Sequence, residues 1–191
     1  MSYRDNAAAL AGYRNQISDI RRKMREIQAA VEPEEVVSDY AFSTPDGVLR
    51  LPELFGPKDD LFVIHNMGAS CSYCTLWADG FNGVYEHLAN RAAFVVCSPD
   101  APDAQRRFAA GRGWRFPMVS HQGTSFAADM GYRSETGGWR PGVSVFRRET
   151  DRVVRVSDTE LGPGDDFCSV WHFLDMLPGG ADGWSPRYSY G

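Results

Sequence analysis

Apolar residues near the amino terminus recur three and four positions apart, which is the spacing of one face of an α-helix. The stripe consists of Leu10, Tyr13, Ile17, Ile20, Met24, Ile27 and Val31. Pro33 is expected to end this helix. Such a stripe more commonly packs on the body of its own protein, but its heptad spacing also fits a coiled-coil-like arm that would hold a second copy as a homodimer.

From residue 36 onward the pattern changes to short apolar runs that alternate with helical segments. The runs at 61–65 and 92–97 are nearly continuous in apolar residues, which is typical of strands buried on both faces. Further strands are predicted at 36–43, 48–51, 116–120, 142–147 and 152–156, and further helices at 71–91, 103–112, 125–130 and 167–177. Strands alternating with helices, followed by a hairpin and a closing helix, predict a layered α/β fold.

The length of 191 residues fits one domain with appendages. We expect a helical extension at 1–35, a central domain at 36–177 and a tail at 178–191. The tail is rich in glycine and proline, yet it carries Trp184, Tyr188 and Tyr190. Part of it is therefore expected to dock.

Charge and hydropathy argue against two classes of partner. The chain has 20 Lys and Arg against 25 Asp and Glu, and this net charge of −5 disfavours nucleic-acid binding. The cluster at 21–25 has acidic neighbours and is typical of a solvated helix face. No apolar run approaches the ~18 residues of a membrane span. With no signal-peptide pattern at the start, the sequence predicts a cytoplasmic protein without a membrane partner.

Cys71 and Cys74 form a C-x-x-C motif, which in a reducing compartment indicates redox chemistry or metal binding. The motif follows a predicted buried strand and opens a predicted helix. A helix amino terminus stabilises a thiolate through its unpaired N–H groups and partial positive charge. Cys71 is therefore the expected nucleophile, and Cys74, one turn later, is the expected resolving cysteine.

The motif and its surroundings resemble the thioredoxin superfamily. The resemblance rests on Cys71-Ser-Tyr-Cys74 between a strand and a helix, on Pro141 directly before a strand, and on the inserted strand and helix at 92–130. The stretch at 71–82, the preceding His65-Asn-Met and the long first helix are more specifically similar to a bacterial thioredoxin-like family of unknown function. The resemblance implies a central mixed sheet flanked by helices, with an added amino-terminal helix.

The resemblance also implies an activity, namely dithiol–disulfide exchange with protein or small-molecule thiols and disulfides and with no cofactor. Pro141 stands where thioredoxin-like proteins carry the cis-proline that faces the disulfide, so it is expected to shape a substrate groove. Arg140, Tyr73 and Trp77 are the other expected groove residues, although Arg140 equally fits a surface side chain beside a turn. Because Asp79-Gly80 is a poor helix pair, a break is also expected in this helix.

His65 lies six residues before Cys71, where thioredoxin-like proteins often place a buried carboxylate that moves the proton of the second cysteine. A histidine could accept that proton because its ordinary pKa lies near neutrality. A core histidine bonded to the backbone is the equal alternative. The two interpretations differ in whether the side chain reaches the dithiol.

Three other functions compete with the oxidoreductase. One is a non-catalytic redox sensor or binding module on the same scaffold. Another is a peroxidase, although Gly68 stands where peroxiredoxins have Thr or Ser three residues before their reactive cysteine. The third is a zinc site made of Cys71, Cys74, Cys168 and His172. We expect no metal, because structural zinc ligands usually come from tight turns.

Overall fold

The computed structural model describes residues 2–30 and 35–191, and its first element is helix α1 at Tyr3–Ala30. The helix begins with a reciprocal cap: Asp5 N–H donates to Ser2 Oγ at 3.2 Å, and Ser2 N–H donates to the Asp5 carboxylate at 3.1 Å. The apolar stripe is confirmed as helical, and its side chains from Leu10 to Ile27 are 46–68% exposed. Val31 and Pro33, which were predicted to extend the stripe and end the helix, lie outside the described residues.

Within the described part of the chain, seven strands form one mixed sheet in the order β2-β1-β5-β4-β3-β6-β7. The strands are β1 (Ala41–Thr44), β2 (Gly47–Arg50), β3 (Asp60–His65), β4 (Ala93–Ser98), β5 (Met118–Ser120), β6 (Gly142–Arg148) and β7 (Val153–Glu160). Strands β3, β4 and β5 are mutually parallel, whereas β6 and β1 are antiparallel to their partners in this central group. The predicted mixed α/β sheet is confirmed.

Helices cover both faces of this sheet. They are α2 (Ser72–Arg91), α3 (Pro102–Arg112), α4 (Phe126–Asp129) and α5 (Ser169–Leu174), and a short 3-10 helix spans Leu51–Phe55. The side chains of β3 alternate between two cores. Leu61 and Val63 pack with Phe126 of α4, whereas Ile64 packs with Trp77 of α2. Each fully buried side chain of this kind contributes about 1.5–3 kcal/mol through the hydrophobic effect.

Helix α2 runs without interruption from Ser72 to Arg91, so the predicted break near Gly80 is wrong. Gly80 is exposed, and its intrinsic cost in a helix is only about 1 kcal/mol. Its neighbours Trp77, Ala78 and Phe81 are buried against the sheet. Tertiary packing of this face therefore outweighs the local propensity.

Several elements differ from their predicted lengths, and the two largest differences are in the first strand and the closing helix. The first strand begins at Ala41 rather than at 36, and the closing helix is shortened to Ser169–Leu174. The turn between β1 and β2 matches its sequence, with Gly47 at a φ of +134° and the Thr44 hydroxyl donating to the Gly47 carbonyl at 2.9 Å. None of the helices seen in the described residues has the length and apolar character that crossing a membrane requires.

Candidate active site

The loop at 66–71 carries the chain from the carboxyl end of β3 to the start of α2. The Asn66 side-chain oxygen accepts the N–H of Gly68 at 2.8 Å, and the Asp100 carboxylate accepts the N–H of Ala69 at 2.8 Å. Gly68 has a φ of +104°, and a Cβ there would lie 3.0 Å from the Asp100 carboxylate. Any other residue would therefore be strained at this position, and the loop holds Cys71 in place.

Cys71 caps the amino terminus of α2. Its Sγ accepts the N–H of Cys74 at 3.1 Å, and its carbonyl oxygen accepts the Thr75 hydroxyl at 2.9 Å. The side chain is half-buried. Donation from the Cys74 thiol, with further help from the backbone N–H groups of Cys74 and Tyr73, lowers the pKa of Cys71 to about 6 against the opposing effect of burial. Cys71 is therefore largely a thiolate at neutral pH.

Cys74 has the opposite environment one helical turn later. Its side chain is only 3% exposed, and its Sγ accepts the N–H of Met67 at 3.4 Å. Its thiol donates to the Cys71 sulfur and is buried, and these two causes raise its pKa above the ordinary range. The geometry thus gives one anionic, partly exposed sulfur and one protonated, shielded sulfur.

The expected groove residues Tyr73 and Trp77 form an aromatic wall beside the cysteines. The Tyr73 ring lies 6.3 Å from the Trp77 ring and is stacked on Trp171 of α5 at 6.1 Å between centroids. Trp77 and Trp171 are buried, and neither indole N–H has a hydrogen-bond partner among the described residues. Trp171 was missed at the level of sequence, since nothing local indicated that the closing helix reaches the motif.

His65 lies on the face of the sheet opposite to α2. Its ring stacks on Tyr132 at 3.8 Å and on Phe126 at 5.4 Å, which places it with the Val63 side of β3. Its Nε2 is 2.9 Å from the Ser144 hydroxyl. Burial lowers the pKa of His65 to about 3, with smaller contributions from neighbouring His121 and Arg155. The structure therefore does not bring the expected proton acceptor to the dithiol, and it gives His65 the position of a neutral core residue.

Pro141 directly precedes β6, as the sequence indicated, but its peptide bond is trans rather than cis. Gly142 pairs with His65 across the sheet, so Pro141 lies at the same sheet edge as the loop that carries the cysteines. The Arg140 guanidinium forms an ion pair with Glu160 at 3.0 Å, and both side chains are well exposed. This contact matches the surface interpretation of Arg140.

The four residues of the zinc alternative do not converge. In the part of the chain that the structure describes, no group of three or more His, Cys, Asp or Glu side chains could hold a metal ion. His172 is exposed and lies 3.5 Å from Asp166, and Cys168 is buried with a raised pKa caused mainly by that burial. Cys97 is fully buried, and burial raises its pKa as well. The described residues therefore give no support to the zinc alternative, and these two thiols belong to the core.

Asp79 also lies in the site region, although the sequence indicated it only as part of a break in the helix. Its carboxylate accepts hydrogen bonds from the Arg112 guanidinium and from Nε1 of Trp114, the latter at 2.8 Å. This contact ties α2 to the end of α3 two turns from the cysteines. The partners are 33 and 35 residues away in sequence, so no local signal could have revealed them.

Comparison with solved structures places this architecture among thioredoxin-fold proteins. Peroxidoxin BcpB from Mycobacterium tuberculosis is 25% identical, with a TM-score of 0.54 over 68% of this chain and 86% of its own. A variant of peroxiredoxin Q from Xanthomonas campestris is 16% identical, with a TM-score of 0.60 over 76% of this chain and 99% of its own. The likeness establishes a thioredoxin-like fold and supports a redox function.

The comparison of sequences points to a family rather than to a characterised relative. None of the curated proteins matches the chain. The model of a family described as bacterial protein of unknown function, DUF899, matches residues 8–189. This match extends from the first helix through the dithiol and into the tail, so the chain belongs to the DUF899 family, a bacterial branch of the thioredoxin superfamily.

Proposed function

We propose that this protein is a thiol–disulfide oxidoreductase in which Cys71 is the nucleophile and Cys74 the resolving cysteine. The observation that carries the proposal is the asymmetry of the pair. The Cys71 sulfur accepts the N–H of Cys74 at the start of α2 and is half-buried, whereas Cys74 is shielded one turn further in. A working dithiol needs this division, because one sulfur must attack while the other stays protonated until it is needed.

The exchange requires no group that the chain lacks. The Cys71 thiolate attacks one sulfur of a substrate disulfide, and the other substrate sulfur leaves as a thiolate. Cys74 then loses its proton and attacks Cys71 Sγ, which releases the second substrate thiolate and leaves a Cys71–Cys74 disulfide. The protein loses two electrons and the substrate gains them. The proposal includes a cytoplasmic location, where the thiol pool returns the pair to the dithiol form.

A redox titration of the purified full chain tests this proposal. Thiols are alkylated at each potential and mapped by mass spectrometry. We expect Cys71 and Cys74 alone to pair, at a potential between about −300 and −120 mV, and the reduced protein to reduce a small disulfide in a single turnover. Cys97→Ala is the matched control and should behave like the wild type. A pair that stays reduced throughout would refute the proposal, and a pair that oxidises without reacting with any disulfide would favour a redox sensor.

Peroxide reduction is the second candidate function, and the likeness of the fold to peroxidoxin BcpB and peroxiredoxin Q favours it. The Cys71 thiolate would attack a peroxide oxygen, giving a sulfenic acid and a released alcohol or hydroxide. Cys74 would then form the disulfide with loss of water. Gly68 in place of a hydroxyl residue argues for a slow reaction. Rapid-mixing kinetics with hydrogen peroxide and with a small disulfide, on the same reduced sample, will show which substrate Cys71 prefers.

We also propose that α1 joins two copies of the chain. Its apolar stripe follows heptad spacing over about two and a half heptads, and the stripe residues that the structure describes are exposed. Sedimentation velocity of the full chain should give the mass of a dimer. Exchanging Ile17 and Ile20 for serine should give the monomer, and exchanging Ser18 and Gln28 for alanine, off the stripe, should leave the dimer intact.

A further inference from the structure

The C-terminal segment at 184–190 reaches the aromatic wall beside the dithiol. Trp184 packs edge-on against Trp171 with ring centroids 5.9 Å apart. Trp171 in turn stacks on Tyr73, which lies between the two cysteines in the sequence. Pro186 is buried although it lies in a tail without regular secondary structure. One end of the segment is therefore anchored on the α5 side of the motif.

The segment is anchored on α3 at Tyr188, and its last aromatic residue, Tyr190, turns back so that its ring stacks on Trp184 at 6.5 Å. The Tyr188 carbonyl accepts a hydrogen bond from Nη1 of Arg112 at 2.7 Å, and the Tyr188 ring meets Phe108 at 6.3 Å. The same Arg112 guanidinium holds the Asp79 carboxylate of α2. Arg112 thus links the tail to the helix that carries both cysteines, and it does so with charge-assisted contacts on two sides.

One anchor reaches α2 at Tyr73 through Trp171, and the other reaches it at Asp79 through Arg112. These two positions, six residues apart, lie about 120° apart around the helix. The five residues from Trp184 to Tyr188 can span at most about 18 Å when extended, which is enough to cross a helix of about 10 Å diameter. The phenol of Tyr188 senses the charge of both Cys71 and Cys74, since these thiols add to the effect of burial in raising the pKa of Tyr188. Tyr73 and Asp79 both lie in the half of α2 that begins beside Cys71, so the crossing takes place at the dithiol end of the helix.

We propose that the segment at 184–190 is a strap across α2 that selects substrates by size, so that small disulfides reach Cys71 and disulfides on folded proteins do not. This inference rests on the proposed disulfide exchange and names its substrate class as low-molecular-weight disulfides. The strap crosses the first turns of α2, the helix that Cys71 caps, and Tyr73 and Trp171 lie on the neighbouring side. A small disulfide fits the half-exposed opening, whereas a folded protein brings its own surface against the strap.

The chemical step is the exchange described above, with the reduced protein as the only reductant. A substrate disulfide takes two electrons from the Cys71–Cys74 dithiol and leaves as two thiols. Single-turnover experiments therefore need no recycling system. Glutathione disulfide serves as the small probe and insulin as the protein probe, and formation of the Cys71–Cys74 disulfide is followed by acid quench and alkylation.

The full chain is compared with Arg112→Gln, with Tyr188→Ala and with the double variant. We expect the double variant to react with insulin at least tenfold faster than the wild type, and its rate with glutathione disulfide to change by less than twofold. Phe173→Ala is the matched control, since it removes an exposed aromatic ring from α5 outside the strap. This control should leave both rates unchanged.

A second readout keeps the test independent of catalysis and of any loss of stability. Cys71 is alkylated under native conditions with iodoacetamide and with a maleimide attached to a globular carrier protein, and each reaction is mapped by mass spectrometry. Release of the strap should raise the carrier rate at least tenfold while the iodoacetamide rate stays constant. Equal ratios of the two rates in wild type and variants would overturn the strap. Absence of exchange with either disulfide, with the alkylation ratio changed as expected, would overturn only the proposed function.

Discussion

At the carboxyl end of β3, one face of the sheet stabilises a charged side chain and the other keeps a titratable side chain neutral. On the α2 face, Cys71 is half-buried and surrounded by donors, so its pKa falls to about 6 and it carries a charge at neutral pH. On the opposite face, His65 is 3% exposed between aromatic rings, and burial lowers its pKa to about 3, which keeps it neutral. Six residues of sequence separate the two side chains.

The difference shows what a folded chain must supply before a titratable group can do chemistry. The start of α2 offers N–H groups and a thiol donor, which stabilise the charged form of Cys71. The other face offers Tyr132, Phe126 and a single hydroxyl from Ser144, and His65 Nδ1 has no hydrogen-bond partner among the residues that the structure describes. We infer that the α2 face carries the reaction and that the opposite face contributes to stability.

The largest effect is expected from replacing the nucleophile. Cys71→Ser should lower the rate of disulfide exchange by about a thousandfold or more, because a serine hydroxyl is not ionised near neutral pH and is a poor nucleophile without a base. Cys97→Ala, on the buried end of β4, should change the rate by less than twofold. Single-turnover reduction of a small disulfide provides the measurement. Comparable losses in the two variants would remove the distinction between the site and the core cysteines.

The next largest effect concerns the charge of Cys71. Cys74→Ala removes the thiol that donates to the Cys71 sulfur, so the pKa of Cys71 should rise from about 6 toward the ~8.5 of an ordinary cysteine. At pH 7 its alkylation by iodoacetamide should then slow by up to about thirtyfold, as the thiolate fraction falls. The pH profile of alkylation, followed by mass spectrometry, gives both numbers. A midpoint that stays near pH 6 would assign the low pKa to the helix terminus alone.

An effect on stability rather than on rate is expected from the opposite face. Unfolded His65 takes up a proton below its ordinary pKa of about 6.5, whereas folded His65 stays neutral down to about pH 3. The contribution of His65 to the free energy of unfolding is therefore fully present above pH 6.5 and is lost as the pH falls. Well below pH 6.5 the loss is about 1.4 kcal/mol per pH unit.

His65→Phe tests this assignment because it keeps an aromatic ring and removes the titration. Urea unfolding between pH 7 and pH 4.5 should show a steeper loss of stability in the wild type than in the variant. The rate of disulfide exchange at pH 7, scaled to the folded fraction, should stay within twofold. A large loss of rate in the folded variant would instead indicate that His65 takes part in proton transfer, and the distinction between the two faces would then be wrong.

Local sequence patterns were sufficient to predict the order of strands and helices and the placement of both cysteines at a helix start, because each depends on neighbours within a few residues. The side on which His65 lies could not be predicted in this way. β3 is apolar on both faces, so its sequence lacks the alternation of polar and apolar residues that would show which side chains point to which face. The trans bond of Pro141 and the contact of Arg112 with Tyr188, 76 residues apart, depend on tertiary packing.

The smallest effect is expected at Arg140, which the sequence suggested as a groove residue on the same edge of the sheet. Its ion pair with Glu160 is exposed, and such pairs contribute about 0–1 kcal/mol. Arg140→Ala should therefore change the rate of disulfide exchange by less than twofold and leave the alkylation profile of Cys71 in place. Because the guanidinium is directed to β7, a tenfold fall in rate would require it to leave Glu160 and bind the substrate, and the substrate groove would then extend along β6 beyond Pro141.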